Sequence, residues 1–173
     1  MTKPNLTDTA ALAAEAGRSL LAAGLKVVTA ESCTGGGVAA ALTDVPGSSQ
    51  WFERSYVAYS NAAKMEDLGV DPATLDRHGA VSAAVVEEMA VGALAACGAD
   101  VAVAVSGIAG PDGGTPEKPV GLVYLAAARR GDGVHVLREH FHGDRAAVRR
   151  AAVAAALALI VRAAESASFG ATT

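Results

Sequence analysis

Three hydroxyl or thiol side chains stand in a row in the stretch TAESCTGGG: Ser32, Cys33 and Thr34. Each is a possible nucleophile, and serine and threonine are also common first residues of helices. Cysteine is intrinsically the better nucleophile, but no Cys–His pairing is evident, and a serine would need a base. The stretch matches neither a P-loop nor a G-x-G-x-x-G fingerprint. These residues alone leave a helix cap and a reactive centre both open.

The candidate bases for a serine are histidines and lysines. The four histidines are His78, His135, His140 and His142, and none lies in a recognisable triad motif. His140 and His142 could share one face of a strand and hold a metal. No third residue lies at a spacing typical of a metal ligand, so we interpret these histidines as exposed. Lys64, in YSNAAK, follows a predicted strand. It is either a solvated helix lysine or, if burial lowers its pKa, a base at the same sheet edge as Ser32.

Two further stretches are candidates for a binding pocket. SGIAGPDGGTPEKPVG, residues 106–121, follows the most strand-like run of the chain, and its glycines and prolines suit either a pocket wall or an ordinary long connection. Ser106 stands where it could donate a hydrogen bond into such a pocket. Arg145 falls in the first turn of a predicted helix, where a cation is unfavourable unless an anion meets it. A phosphate or carboxylate ligand would explain it, and a surface arginine is the alternative.

The elements that position these residues follow from hydrophobic periodicity and from turn chemistry. Helices are predicted at 7–24, 34–42, 82–98 and 144–166, with a helical turn at 61–69 and a short helix or turn at 71–79. Strands are predicted at 26–30, 49–60 and 101–107, followed by a hairpin that turns at RGDG, residues 130–133. The order α-β-α-β-α-α-β-β-β-α indicates an α/β fold, a single three-layer domain with a mixed sheet flanked by helices and a C-terminal β-hairpin.

Local details of this prediction can be tested individually. Ser82 and Asp144 are expected as helix N-caps, Pro72 as a first helical residue, and Gly98 as a helix end. A strand that ends and turns sharply into a helix at ESCTGGG brings free backbone N–H groups to the sheet edge, where they suit an oxyanion or a phosphate. The folded core is expected at about 7–166, with the tail SASFGATT frayed.

Composition narrows the class of protein. With 51% hydrophobic and 18% charged residues over 173 positions, the chain is not disordered and is most simply one domain. A net charge of −4 provides no basic footprint, so no nucleic-acid partner is expected. Cys33 and Cys97 have no metal-ligand spacing and fit a reducing cytosol. No signal peptide is expected, and the apolar run 151–161 is too short to span a bilayer, so we expect a cytoplasmic protein without a membrane partner.

The motifs together are more specific than any one of them. AESCTGG, PGSSQWFERSYVAYSNAAK, HGAVS, SGIAGPDGG, KPVG and GDR occur in this order, and the chain resembles the CinA C-terminal family from about residue 10 to residue 162. The resemblance implies hydrolysis of the carboxamide of nicotinamide mononucleotide to nicotinic acid mononucleotide and ammonia, in the recycling of pyridine nucleotides for NAD. Full CinA proteins carry an additional N-terminal domain with a pyrophosphatase activity, which is not carried over to these residues.

The resemblance also implies roles for individual residues. Ser32 matches the family's nucleophile, Lys64 its general base, and Tyr59 a tyrosine beside that pair, which could relay a proton to the leaving ammonia. Ser106 matches a hydroxyl position that is often threonine in relatives. Other substrate contacts are expected from Arg145, from the turn residues Cys33, Thr34, Gly35 and Gly36, and from Gly107 and Gly110. Thr34 is the expected helix cap, and Cys33 an inert neighbour or a rival nucleophile.

This chemistry requires neither a metal nor another cofactor, and its expected partner is the small-molecule nucleotide. A homo-oligomer is also expected. One alternative is a non-catalytic nucleotide-binding regulatory module linked to competence or DNA damage. It would use the same glycine loops and arginine without a desolvated lysine. A second alternative is a structural interaction protein whose Ala-rich helices pack subunits together.

Overall fold

The computed structural model describes residues 8–167 and 169, and over these residues it has six helices and five strands. The helices are α1 Thr9–Ala23, α2 Gly37–Thr43, α3 Asn61–Leu68, α4 Pro72–His78, α5 Ala83–Ala95 and α6 Arg145–Glu165. The strands are β1 Val27–Glu31, β2 Phe52–Val57, β3 Val101–Gly107, β4 Leu122–Arg129 and β5 Gly133–His140. A 3₁₀ turn at Ser48–Gln50 precedes β2.

The five strands form one mixed sheet in the order β2-β1-β3-β4-β5. Strand β1 pairs in parallel with β2 and β3, whereas β4 is antiparallel to β3 and to β5. Helices connect the parallel strands, and the last two strands form the predicted hairpin. The predicted mixed sheet is therefore confirmed.

The sheet is the middle of three layers because its central strands are buried on both faces. In β3, Val101, Val103 and Val105 join the core on the α1, α2 and α6 side. The alternate residues Ala102 and Ala104 join the core on the α3, α4 and α5 side. Every second side chain of a strand points to the same face, so one apolar run serves both cores. The predicted three-layer α/β fold is confirmed.

Side-chain caps and turn residues set the helix ends, and several of them follow the sequence prediction. Ser82 accepts from the Val85 amide at the start of α5, Asp144 caps α6, and Pro72 begins α4. Helix α5 ends at Ala95, before the predicted stop at Gly98. Between β2 and β3 the chain has three helices where the predicted order has two.

The additional helix comes from the predicted helical turn NAAKMEDLG, residues 61–69. It forms a full helix, α3, because the Ser60 hydroxyl caps its start and Gly69 ends it in a left-handed conformation.

The chain ends and the longest helix complete the description. The predicted frayed tail lies largely outside the described residues, but Phe169 within it is buried and contacts the His135 ring edge-on. Among the described residues, no helix is long and apolar enough to cross a membrane.

Candidate active site

Ser32 and Lys64 meet at the carboxyl edge of the sheet. Ser32 directly follows β1, and its amide donates to the Val105 carbonyl of β3 at 2.9 Å. Lys64 lies on α3, the helix that follows β2. Because β1 and β2 are parallel neighbours, the segments that leave them emerge at the same edge. The Lys64 Nζ lies 3.1 Å from the Ser32 Oγ, within hydrogen-bond distance.

Burial of Lys64 shifts its acid–base equilibrium towards the neutral amine. The residue is 1% exposed, and its Nζ donates to the backbone carbonyls of Ala58 at 3.0 Å and Tyr59 at 3.1 Å. Removal from water lowers the pKa of the Lys64 amine below its ordinary value. A solvated helix lysine, the alternative that the sequence left open, is excluded by this burial.

The turn that carries Ser32 is held by Glu31, a residue that sequence reasoning misses. The carboxylate is fully buried and accepts hydrogen bonds from the amides of Gly36, Val38 and Ala39 and from the hydroxyls of Thr34 and Thr29. It therefore does the work of a helix cap for α2 from the last position of β1. The only available signal is an acid that directly precedes a Ser/Thr/Gly turn.

The predicted cap at Thr34 is wrong. Helix α2 begins three residues later than predicted, at Gly37, with Gly36 at the cap position and no side-chain cap bond from that residue. Thr34 instead donates its hydroxyl to Glu31 at 2.7 Å. Gly35 and Gly36 have φ of 59° and 93°, a left-handed backbone that glycine adopts without strain. Gly35 and Gly36 therefore form the turn before the helix, and Gly37 begins the helix.

Some amides of this turn are occupied and others are free. Gly35 N–H donates to the Ser32 carbonyl, and Gly36 N–H donates to Glu31. Among the described residues, the amides of Cys33 and Thr34 have no acceptor on another residue. These two N–H groups, and not those of the glycines, remain for an oxyanion.

Cys33 is poorly suited to act as the nucleophile. Its side chain is 6% exposed, and burial raises the pKa of its thiol to about 11. Near neutral pH the thiol is therefore protonated, whereas the thiolate is the reactive form. Among the described residues the Lys64 amine is hydrogen-bonded to Ser32 and not to Cys33.

Ser32 and Lys64 open into a pocket of about 290 Å³. Its walls come from Cys33, Tyr59, residues 80–81 of the HGAVS stretch, residues 106–110 and 112–113 of the Gly-Pro loop, and Arg145. This volume lies at the small end of the range for small-molecule sites, roughly 300–1,000 Å³. The Gly-Pro loop is thus a pocket wall, one of the two possibilities that its sequence left open.

The pocket walls are tied to one another by polar side chains. The Ser106 hydroxyl donates to the Ala80 carbonyl at 2.7 Å, which joins the end of β3 to the segment before α5. Arg145 donates to the Gly110 carbonyl at 2.9 Å and to the Tyr59 hydroxyl at 3.4 Å. Tyr59 is 61% exposed, so its ring stands at the mouth of the pocket.

Most predicted site residues come together here, with some exceptions. The lining includes Ser32, Cys33, Tyr59, Lys64, Ser106, Gly107, Gly110 and Arg145. Thr34, Gly35 and Gly36, which were also expected to contact substrate, are not among the lining residues and belong to the turn that follows Ser32. Asp112 is a lining residue that sequence reasoning misses, although it lies within the loop SGIAGPDGG.

The histidines lie apart from this pocket. The rings of His140 and His142 contact each other edge-on, with centroids 4.9 Å apart, and His140 Nε2 lies 3.0 Å from the Val120 carbonyl oxygen. Over residues 8–167 and 169, no group of three or more His, Cys, Asp or Glu side chains is arranged to hold a metal ion.

Comparison with known proteins shows which family the chain belongs to. Residues 9–164 match the CinA C-terminal domain family. The chain belongs to this family. It is 59% identical over 147 residues to nicotinamide-nucleotide amidohydrolase PncC of Escherichia coli K12, covering 84% of this chain and 88% of that protein. The protein of the same name from Pseudomonas putida is 58% identical over 148 residues, covering 84% and 91%.

The family also fixes the fold. The crystal structure of the competence/damage inducible protein CihA from Agrobacterium tumefaciens superposes with a TM-score of 0.87 at 43% identity. The match covers 93% of this chain and 97% of that one. The three-layer architecture with its mixed sheet is therefore that of the CinA superfamily.

Proposed function

We propose that this protein hydrolyses the carboxamide of a nicotinamide nucleotide, such as nicotinamide mononucleotide, through a Ser32–Lys64 pair. The products are ammonia and the nicotinic acid nucleotide, which can return to NAD synthesis. One observation carries the proposal: a buried lysine amine lies 3.1 Å from the hydroxyl of a serine at the sheet edge. The names of relatives at 58–59% identity support the substrate class.

The partners of Lys64 support its role as a general base. Two of its three hydrogen-bond partners, the carbonyls of Ala58 and Tyr59, can only accept. A neutral amine has two N–H groups and one lone pair. If the two N–H groups bind the carbonyls, the lone pair is left for the Ser32 O–H. This is the arrangement that lets a neutral lysine remove the hydroxyl proton.

The reaction then runs in two balanced halves. Lys64 takes the Ser32 proton as Oγ attacks the amide carbon, and the tetrahedral intermediate collapses as the C–N bond breaks. The leaving nitrogen receives the proton from Lys64 and departs as ammonia, leaving an ester on Ser32. The neutral amine next takes a proton from water, whose oxygen attacks the ester. Lys64 gives that proton to the departing Ser32 Oγ, and the carboxylic acid product ionises to the carboxylate by releasing a proton to solvent.

The oxyanion of each intermediate needs donors, and the free amides of Cys33 and Thr34 are our candidates. Loss of one oxyanion donor costs roughly 3 to 4 kcal/mol in a well-studied serine protease. All steps use groups of the chain and water alone.

Arg145 is the proposed partner of the substrate phosphate. Apart from Lys64, it is the one cationic side chain among the residues that the structure describes as lining this pocket, and it lies at the mouth beside Tyr59. A guanidinium binds phosphate with directed hydrogen bonds. The Gly-Pro loop offers backbone donors for the same group. The hydroxyl of Tyr59 accepts a hydrogen bond from the Arg145 guanidinium. A proton relay through Tyr59 stays a prediction.

Ammonia release from nicotinamide mononucleotide tests the proposal. Wild type should turn over, Ser32→Ala and Lys64→Met should lose at least about a thousandfold in kcat, and Cys33→Ala should keep most activity. Full activity of either Ser32→Ala or Lys64→Met would refute the pair. Tight binding of the nucleotide without turnover by wild type would instead favour the non-catalytic regulatory module.

Location in the cytoplasm and assembly into a homo-oligomer also stay predictions. Light scattering of the purified protein after size-exclusion chromatography would measure its mass in solution and test the second.

A further inference from the structure

Arg149 of α6 binds the nucleophile turn, residues 32–36, from outside the Ser32 pocket. Its Nε donates to the Cys33 carbonyl at 3.1 Å, and its Nη2 donates to the Thr34 carbonyl at 3.0 Å. Two successive carbonyls of the turn are thus held by one guanidinium. Within the described part of the chain, no carboxylate lies within ion-pair distance of Arg149.

These contacts control the free amide of Thr34. The Cys33 carbonyl and the Thr34 N–H belong to the same peptide unit, and in a trans peptide they point in opposite directions. Anchoring the carbonyl on Arg149 therefore fixes where the N–H points. A cation on the carbonyl oxygen also polarises the peptide unit, which makes its N–H a stronger donor.

The carbonyls held by Arg149 complement the amides held by Glu31. Glu31 accepts from Gly36 N–H and from the Thr34 hydroxyl, so an acid of β1 and an arginine of α6 together fix both kinds of backbone group. The backbone groups that Glu31 and Arg149 hold here belong to residues 33–36, directly after Ser32. A side-chain displacement of about 1 Å can lower a catalytic rate on the order of a hundredfold, so this bracing bears directly on attack.

We propose that Arg149 is a positioning residue for the reaction of Ser32, acting through the Cys33 and Thr34 carbonyls without touching substrate. The proposal rests on the amidase function proposed above. Arg149 is absent from the lining of the Ser32 pocket and instead lines a separate pocket of about 410 Å³, together with Arg150. Through that second pocket, small solutes can reach the position of the Arg149 guanidinium.

Steady-state kinetics of Arg149→Ala and Arg149→Lys measure the proposed effect. We expect kcat to fall about 10- to 100-fold in the alanine variant, with KM for nicotinamide mononucleotide within about twofold of wild type. The lysine variant keeps the charge but cannot bind both carbonyls with a rigid fork, so its kcat should lie between those of wild type and Arg149→Ala. Arg150→Ala is the matched control: it removes the same charge one residue along, lines the same pocket, and should leave both constants unchanged.

Chemical rescue separates positioning from general destabilisation. Guanidinium ion at millimolar concentration should raise the kcat of Arg149→Ala several-fold and leave Arg150→Ala unaffected. Wild-type kcat in Arg149→Ala would overturn the proposal. So would a raised KM at unchanged kcat, which would make Arg149 a substrate ligand, or a lowered kcat that guanidinium does not restore.

A substrate-independent measurement separates this proposal from the proposed function. The rate at which a fluorophosphonate labels Ser32 reports the reactivity of the serine without any amide. Slower labelling of Arg149→Ala than of Arg150→Ala supports positioning even if wild type releases no ammonia, in which case only the amidase proposal fails. Equal labelling rates would overturn the positioning role.

Discussion

Replacing Glu31 by glutamine is a direct test of how the nucleophile turn is built. The substitution keeps the size of the side chain but removes its charge and turns one acceptor oxygen into a donor. One carboxylate oxygen accepts three hydrogen bonds and the other accepts two, all from groups inside the protein. A glutamine amide can satisfy only one of these two sets.

The cost can be worked from these contacts. In the better orientation the amide oxygen keeps the contacts of Thr34, Gly36 and Val38, and its NH₂ faces the Ala39 N–H. The buried donor then left unpaired costs about 1–3 kcal/mol, and each remaining bond loses its charge assistance, about 1 kcal/mol. The neutral side chain avoids the cost of burying a charge, which offsets part of this sum. We expect a net loss of about 2–4 kcal/mol in the free energy of unfolding.

Urea unfolding monitored by circular dichroism would measure this loss, with unchanged m-values as the check that the transition stays two-state. Glu87→Gln is the matched control, because Glu87 is an exposed residue of α5, and surface substitutions usually change stability by no more than about 0.5 kcal/mol. A Glu31→Gln variant within about 0.5 kcal/mol of wild type would show that the carboxylate does not hold the turn. The kcat for ammonia release should fall as well, since Ser32 is the next residue.

Three further predictions concern the base, the neighbouring thiol and the α3–α5 contact. Burial lowers the pKa of the Lys64 amine below the ordinary lysine value of about 10.4, and only the neutral amine is a base. The kcat/KM should therefore rise about tenfold per pH unit below the lowered pKa and level off above it; a flat profile would contradict this. Because burial raises the pKa of Cys33 to about 11, Ellman's reagent at pH 8 should modify Cys97 first and Cys33 only on unfolding, and fast loss of both thiols in the native protein would refute it. A Cβ at Gly92 would lie 1.7 Å from a backbone carbonyl oxygen of α3, so Gly92→Ala should cost about 3 kcal/mol in urea unfolding, whereas Gly98→Ala, with open space around it, should be neutral or stabilising; equal stability of the two variants would show that the helices separate freely.

Much of the architecture is local enough to be predicted from the sequence. The apolar run of β3, the hairpin turn at RGDG, and the caps at Ser82 and Asp144 each depend on residues close together in the chain. The strand order is different in kind, because which strands become neighbours is decided by packing across the whole domain. The proximity of Ser32 and Lys64 follows from their predicted positions at one sheet edge, whereas the roles proposed for them rest on the family resemblance.

The wrong cap at Thr34 shows where local rules fail. A Ser or Thr residue before glycines is typical of a helix N-cap, but this sequence rule considers only residues next to it in the chain. In the fold, Glu31 is close enough to take the same amides, and a buried carboxylate is the stronger acceptor. Arg149 was missed for a similar reason: it is far from the turn in sequence and reaches it only because α6 packs beside α2.

The position of β2 at the edge of the sheet bears on how the protein loses activity. Strand β1, which leads into Ser32, is paired on both sides. Within the described residues β2 is paired on one side only, and its six residues are half-buried or exposed. Lys64 is attached to this outer strand through α3, a helix of eight residues. Edge elements open at lower free energy than the central strands of a sheet. Heat or mild denaturant would therefore separate Lys64, the proposed base, from Ser32 while the rest of the sheet stays intact. Inactivation would precede global unfolding and be reversed when β2 pairs again.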